Sequence, residues 1–422
     1  MHTGEIKHQR AIAVVGAGIV GAATALALAA DGHAVTLIDR GEAGAGTSFG
    51  NAGGIVVGAV TPTATPGVIR SIPSYLLDRD GAAVLRPAYL FQAIPWLVRF
   101  VAAGRPARVA SIAAALHPLV SNAMHGHRAL AGLSNALDFI QPVGWLKVYS
   151  SKAAFSKTAL ERQLMTRHGV NFSVLNAGEV ADLEPGLNRA AYASGVFQPD
   201  SGFVNFPMGL AQAYFKGALV RGACYLQQNV QEIRPLNDGG VAVRTDNATH
   251  RFDAVVIATG AWSKQFARQL GDRVSLDTER GYHISWAMTD GPLLTRPVGF
   301  PERDCVLSPM RDGTSVVSGD ELAGLTAPPD FRRIRALMPF VNRVLPGTRH
   351  QAVQREWMGH RPSTPDSLPV IGRSPRCQQV FYAFGHGHVG LTLSAITAQL
   401  IAGMVSGRAD PFDMTPYRIN RF

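Results

Sequence analysis

An α/β chain, α+β when taken whole, is what three features of this sequence predict. Residues 11–39 read as strand, glycine turn, helix and strand; a second apolar strand ends in Thr259-Gly260; a third, at 380–384, runs into a glycine loop and a long apolar helix. Together they describe a discontinuous Rossmann-like dinucleotide-binding domain, with a mixed-sheet second domain and a helical insert between its pieces.

In the first unit, AIAVVGAGIVGAATALALAADGHAVTLID, a strand enters Gly16-x-Gly18-x-x-Gly21, a helical apolar pattern follows, and a second strand ends on Asp39. Gly16 permits the tight turn, Gly18 lets the backbone approach a pyrophosphate, and Gly21 lets helix and strand pack closely. The amides at the helix start, Ile19 and Val20 among them, make an anion site with the helix dipole. Asp39, with Arg40 beside it, stands where a carboxylate accepts hydrogen bonds from an adenosine ribose. Residues 11–30 carry no charge, but the strand occupies the start of that run and leaves too little helix to span a bilayer.

Further along, 222–232 reads as one strand ending on Asn229-Val230, its backbone placed to bracket an adenine. The strand at 254–258 turns at Thr259-Gly260 into a helix near Trp262. The third segment contains Gly385-x-Gly387-x-x-Gly390, formally a second dinucleotide motif. No strand and ribose acid follow it before Gly407, Pro411 and Pro416, so a second nucleotide site is excluded there. What remains is a helix N-terminus at Gly387, His388, Val389, Gly390, Leu391 and Thr392. It is suited to the negative charge of a reduced flavin, which favours FAD over a nicotinamide cofactor.

The expected dinucleotide domain covers 10–65, 205–275 and 355–422. The expected substrate domain covers 66–204, with helices at 88–103 and 106–137, and the strand-rich 276–354. Three widely spaced cysteines form neither a disulfide framework nor a metal motif. The histidines at 283, 360, 386 and 388 lack a third ligand at metal-binding spacing, so no metal is expected. The net charge of +10 comes mainly from scattered arginines without a nucleic-acid-binding module, and no nucleic-acid partner is expected. The polar opening segment has no signal-peptide pattern, which predicts a cytoplasmic protein. Residues 89–100 place aromatics on an apolar face flanked by Arg86, Arg99, Arg105 and Arg108. That segment suits either a core helix or a peripheral contact with the inner membrane, where electrons could pass to a quinone or another respiratory component.

Several motifs together carry a family resemblance: VVGAGIVGAATALALA at 14–29, GTSFGNAG at 46–53, Leu183-Glu-Pro185, Arg280-Gly-Tyr-His283, GHRPSTPDSLPVIG at 359–372 and FGHGHVGLT at 384–392. The chain resembles the superfamily of FAD-dependent D-amino-acid oxidases and dehydrogenases, and within it most resembles the bacterial D-amino-acid dehydrogenases. The resemblance implies noncovalent FAD, because the segment GHRPSTPD lacks the cysteine and the loop SFGNAGG the histidine that tether flavin in relatives. It places Thr47, Ser48, Asn51, Ala52 and Gly53 at the flavin, with His386 and His388 near the ring. Arg361 of the Arg-Pro pair would grip a substrate carboxylate as a planar fork. Tyr282 would either present a hydroxyl over the flavin face or simply pack in the core.

The implied reaction is oxidation of the Cα–N bond of a D-amino acid or a related imino acid, with hydride passing to the flavin. Two other readings stay open at this level. One is a 2-hydroxy acid oxidase or dehydrogenase, which needs the same carboxylate clamp. The other is the flavin subunit of an electron-transfer or RNA-modification assembly.

Overall fold

A computed structural model describes residues 9–70, 83–288 and 291–422. The strands of the first unit, Ala11–Val15 and Ala34–Asp39, pair in parallel with Ile12 opposite Val35. They centre a six-stranded sheet. From one edge its order is Cys224–Gln227, Ala34–Asp39, Ala11–Val15, Ala254–Ile257, Val380–Phe384 and Val370–Arg373, with only the last strand antiparallel. Both faces are covered, as the unbroken apolar run of the parallel strands requires. On one face the helices Ile19–Ala30, Pro207–Val220 and Gly390–Val405 pack around Ile12, Val14, Leu37 and Val256. On the other, a three-stranded antiparallel sheet (Val230–Pro235, Val241–Thr245, Thr249–Phe252) lays Ile233 and Val243 against Val15, Val255 and Ile257.

The expected single strand at 222–232 is two, in two different sheets. Cys224–Gln227 pairs with Ala34–Asp39 and Val230–Pro235 starts the antiparallel sheet, so the chain changes layer at Gln228-Asn229.

A second, mixed sheet of nine strands builds the other half. Its order is Val353–Ser363, Asp277–Ala287, Gly313–Leu322, Cys305–Met310, Val298–Phe300, Trp145–Tyr149, Ser194–Gln198 and Ser173–Asn176, with Ala83–Leu85 beside Gly313–Leu322. One face buries Ile284, Trp286, Leu307 and Val316 against Ile334 of the helix Arg332–Ala336 and Val341 and Val344 of the helix Met338–Val344. The other face turns toward the first sheet and carries the site.

The expected helix at 106–137 breaks at Asn122 into Pro106–Ser121 and Ala123–Leu133. Both pack on Gly390–Val405, with Ile112, Leu116, Leu119 and Leu130 in one core with Leu393 and Ile401. This part of the insert therefore packs in the first sheet's layer. Periodicity reveals that a helix has an apolar face, but not which neighbour covers it. Gly387–Val405 is apolar and long enough to cross a membrane by composition alone, yet it is mostly buried in this core. The cysteines are free, Cys305 and Cys377 buried and Cys224 exposed.

Candidate active site

A cavity of about 800 Å³ runs from the glycine turn, between the two sheets, to the strand ends around Phe300. At its first end the three motif glycines serve different needs. A Cβ on Gly21 would lie 1.7 Å from the Gly16 carbonyl oxygen, and one on Gly16, whose φ is +104°, 2.5 Å from that of Ala258. The protein's own packing demands both. A Cβ on Gly18 would meet only Ser48 Oγ, at 3.6 Å, and would otherwise project into the cavity, so that glycine leaves room for a ligand.

The helix Ile19–Ala30 begins there without a side-chain cap and with no acid in its first turn. Among the described residues, the Ile19 amide alone in that first turn has a side-chain partner, Ser48 Oγ at 3.0 Å. An uncapped helix start facing a glycine-floored cavity fits a pyrophosphate, and these residues fit FAD. Asp39 also lines the cavity, but it does more than the sequence suggested. Its Oδ2 accepts from the Ala17 amide at 2.6 Å and its Oδ1 from the Gly41 amide at 3.0 Å, which ties the turn to the end of the second strand.

Of the other expected cofactor residues, Ile19, Val20, Arg40, Thr47, Ser48, Asn51, Ala52, Val230, Thr259, Gly260 and Trp262 face this cavity. Gly387, His388, Val389, Gly390, Leu391 and Thr392 do so from the opposite wall. The Arg40 guanidinium lies 4.6 Å over the Trp262 ring. Thr47 donates to the His360 carbonyl, and Thr392 Oγ1 to the Gly54 carbonyl, so the 46–54 loop is held by the strand Val353–Ser363 on one side and the helix Gly390–Val405 on the other. Asn51 Oδ1 accepts from the Gly53 amide at 2.7 Å. Gly21 and Gly53 lie behind the wall. Gly53, at φ +81°, packs where a Cβ would come 2.4 Å from the Val204 carbonyl oxygen.

At the other end, Arg361 opens into the cavity. Its Nη1 donates to Asp320 Oδ1 at 2.7 Å and to the Gly319 carbonyl at 2.6 Å. The guanidinium lies across Gly281, where a Cβ would stand 2.2 Å from Nη2. The two acids nearest to Arg361 in sequence pair elsewhere, Asp366 with Arg421 and Glu356 with Arg335.

Tyr282 does not reach the site. Side chains alternate along a strand, and because position 281 faces the cavity, Tyr282 faces the core behind it. There its hydroxyl donates to Glu321 Oε2 at 2.6 Å and accepts from the Asp330 amide. Its expected place over the flavin is thus corrected by one residue of register.

His386 and His388 separate in character. His386 is buried, bonded through Nε2 to Thr397 Oγ1, and burial lowers its pKa to about 3. His388 Nε2 lies 3.3 Å from Glu279 Oε2 and 3.5 Å from Asp320 Oδ1. Burial opposes its cation, but Asp320 and Glu279 outweigh burial and raise its pKa to about 8.

Sequence reasoning missed Glu279, Asp304, Asp320, Lys147, Glu161 and Trp357. Strand pairing assembles them: Glu279 stands opposite Arg361, and Cys305, next to Asp304, opposite Ser318. The one local signal was the two-residue period Glu279, Gly281, His283 on a single strand face. The Trp357 ring fills the space where Cβ atoms on Gly50 and Gly359 would sit, 2.0 and 2.1 Å away, and walls the cavity between the loop and the sheet.

With this geometry in place, residues 11–404 match the FAD dependent oxidoreductase family. A D-amino-acid oxidase of Bradyrhizobium diazoefficiens is 35% identical, over 98% of this chain and 99% of that protein. The D-amino acid dehydrogenase 2 of Ralstonia nicotianae is 30% identical, over 97% of this chain and all (100%) of that one. Among solved structures, glycine oxidase from Geobacillus kaustophilus superposes with a TM-score of 0.77 at 23% identity, covering 98% of this chain and 99% of that one.

Proposed function

The chain belongs to the family of FAD-dependent oxidoreductases, and from that premise we propose that it oxidises the Cα–N bond of a free D-amino acid or related imino acid. The curated relatives named D-amino-acid oxidase and D-amino acid dehydrogenase support that substrate class. The observation that carries the reading is Arg361, a cavity-facing guanidinium in the same continuous space that the glycine turn floors. The chemistry FAD supplies when bound is acceptance of the hydride leaving Cα, and the resulting imine hydrolyses to a 2-oxo acid and ammonia.

The chain's own residues position the reactants. The uncapped helix start and Gly18 would hold the pyrophosphate, and the amides of Gly387 and His388 would face the far end of the cofactor, where they suit negative charge. Arg361 receives the substrate carboxylate, with Asp320 fixing the plane of its fork.

The test is anaerobic. Acid should release all flavin from the purified, yellow protein, and a panel of D-amino acids should bleach the flavin of the intact holoenzyme. Flavin that stays with the precipitated polypeptide would overturn noncovalent binding. Bleaching by 2-hydroxy acids alone would replace the substrate reading.

The proposed electron acceptor is a quinone or another respiratory component at the cytoplasmic face of the inner membrane. The helix Leu90–Ala103 supports this reading. Trp96 and Phe100 are buried, while Leu90, Phe91, Ile94, Val98 and Val101 form an exposed apolar stripe beside Arg99, Arg105 and Arg108. Sedimentation with vesicles containing anionic lipid should therefore exceed that with neutral vesicles, and Phe91→Ser with Val98→Ser should abolish it.

A further inference from the structure

The charged side chains at the substrate end of the cavity are matched except one. Lys147 is bonded to Glu161, Arg361 to Asp320, and His388 lies between Asp320 and Glu279. Asp304 alone has no cation within ion-pair distance among the described residues, although it lines the cavity together with Asp320. The chain holds it there firmly. Asp304 ends the turn Pro301–Arg303 in the left-handed conformation, φ 45° and ψ 47°, and its carbonyl accepts from Ser318 Oγ at 2.9 Å. Asp320 first, and then burial, push the Asp304 carboxyl up to about 7 against the weaker pull of His388 and Arg361. With Asp304 ionised, this end of the cavity lacks one positive charge.

We propose that Asp304 makes the cavity selective for amino acids bearing a second, side-chain cation, and seats the distal ammonium or guanidinium against its carboxylate. The inference rests on the preceding reading that Arg361 takes the substrate α-carboxylate. Asp320 links the two groups: it is bonded to Arg361 and is the neighbour that acts most strongly on Asp304. Trp145 and Phe300 line the same end and offer apolar surface to a methylene stem. A neutral side chain leaves Asp304 unpaired, and an acidic one adds repulsion, so the expected order is basic, then neutral, then acidic.

The test uses the holoenzyme and isosteric pairs. D-lysine should exceed D-norleucine in kcat/KM by about tenfold or more, the usual scale for a partly desolvated ion pair. Asp304→Asn, which suits a left-handed position, should bring that ratio near one, and Asp304→Lys should move the preference toward D-glutamate. Calorimetry with 6-aminohexanoate and hexanoate, neither of which has an α-amine, should give the same preference for the cation and the same loss in Asp304→Asn. If Asp304→Asn does not fold, Asp304→Ser takes its place. A wild-type enzyme that prefers D-norleucine, or a ratio unchanged by the substitution, would overturn the assignment. If no amino acid bleaches the flavin, the amino-acid reading fails on its own, and the two carboxylates still decide the role of Asp304.

Discussion

The two ends of the cavity are built by opposite means. The cofactor end is made of backbone: a turn at Gly16 and Gly18, an uncapped helix start, and an acid that stitches the turn, all within one short stretch of chain. The substrate end is made of side-chain charge drawn from separate strands, with Glu279, Asp304, Asp320 and Arg361 meeting only through the register of the nine-stranded sheet. A backbone site depends on the absence of side chains, whereas a charge cluster depends on their mutual balance. The two ends should therefore fail differently.

The largest expected effect separates two glycines of one motif. Gly21→Val should yield no folded protein, because even its Cβ would overlap the Gly16 carbonyl. Gly18→Val should fold and lose FAD, since only cavity lies above it. Circular dichroism and the ratio of flavin to protein absorbance distinguish the two outcomes. Full flavin occupancy in Gly18→Val would show that the cofactor end lies elsewhere.

Next in size is Arg361→Ala, with flavin content unchanged and kcat/KM lower by about a hundredfold or more, since a buried carboxylate loses a partner at roughly 3–5 kcal/mol. Part of that loss comes from Asp320, left with His388 alone. Arg361→Lys should recover only some of the activity, because an ammonium cannot reproduce the fork. Gly281→Ala should act in the same direction without touching the guanidinium chemically, by displacing it. Steady-state turnover of an amino acid at wild-type efficiency in Arg361→Ala would remove the clamp.

The smallest effect is on stability against pH. The folded chain holds the His388 proton up to about 8, against an ordinary value of 6.5. The stabilisation is therefore complete below 6.5 and is lost as pH rises through 8. Asp304 acts in the same sense at lower pH, because its folded value of about 7 lies above the usual 3.8 and its ionisation opposes folding. Chemical denaturation between pH 6 and 9 should show stability falling, and His388→Asn should flatten the slope in the upper part of that range. A wild-type slope of the opposite sign would refute this account of the cluster.

The same contrast explains what could be read from sequence. The turn from Gly16 to Asp39, the strand before Thr259-Gly260 and the terminal loop and helix were legible because each is local: short spacing, period and glycine placement specify them. The place of Arg361 on the cavity wall was legible through its motif. Tyr282 was misplaced because one residue of register inverts a strand face, and nothing near position 282 states the register. Asp304 and Asp320 were invisible for a related reason. Each is an ordinary acid beside a turn or strand end until pairing sets them together. The helices around Asn122 show the same limit in packing: their apolar faces were plain, but the partner, the terminal helix, comes more than 250 residues later in the chain.

That distance has a consequence for how the protein is made. The strand Ala11–Val15 lies between Ala34–Asp39 and Ala254–Ile257, and Ala254–Ile257 pairs in turn with Val380–Phe384. At a synthesis rate of about 5–20 residues per second, the first strand waits roughly 20–80 s for the helix that closes the layer over it. During that interval an apolar βαβ unit stands on the ribosome with one edge unpaired and one helix face bare. Those are conditions in which a nascent chain recruits a holding chaperone or aggregates. Truncated chains ending near residue 270 and near residue 405, released from stalled ribosomes, should differ sharply in protease resistance of the first unit.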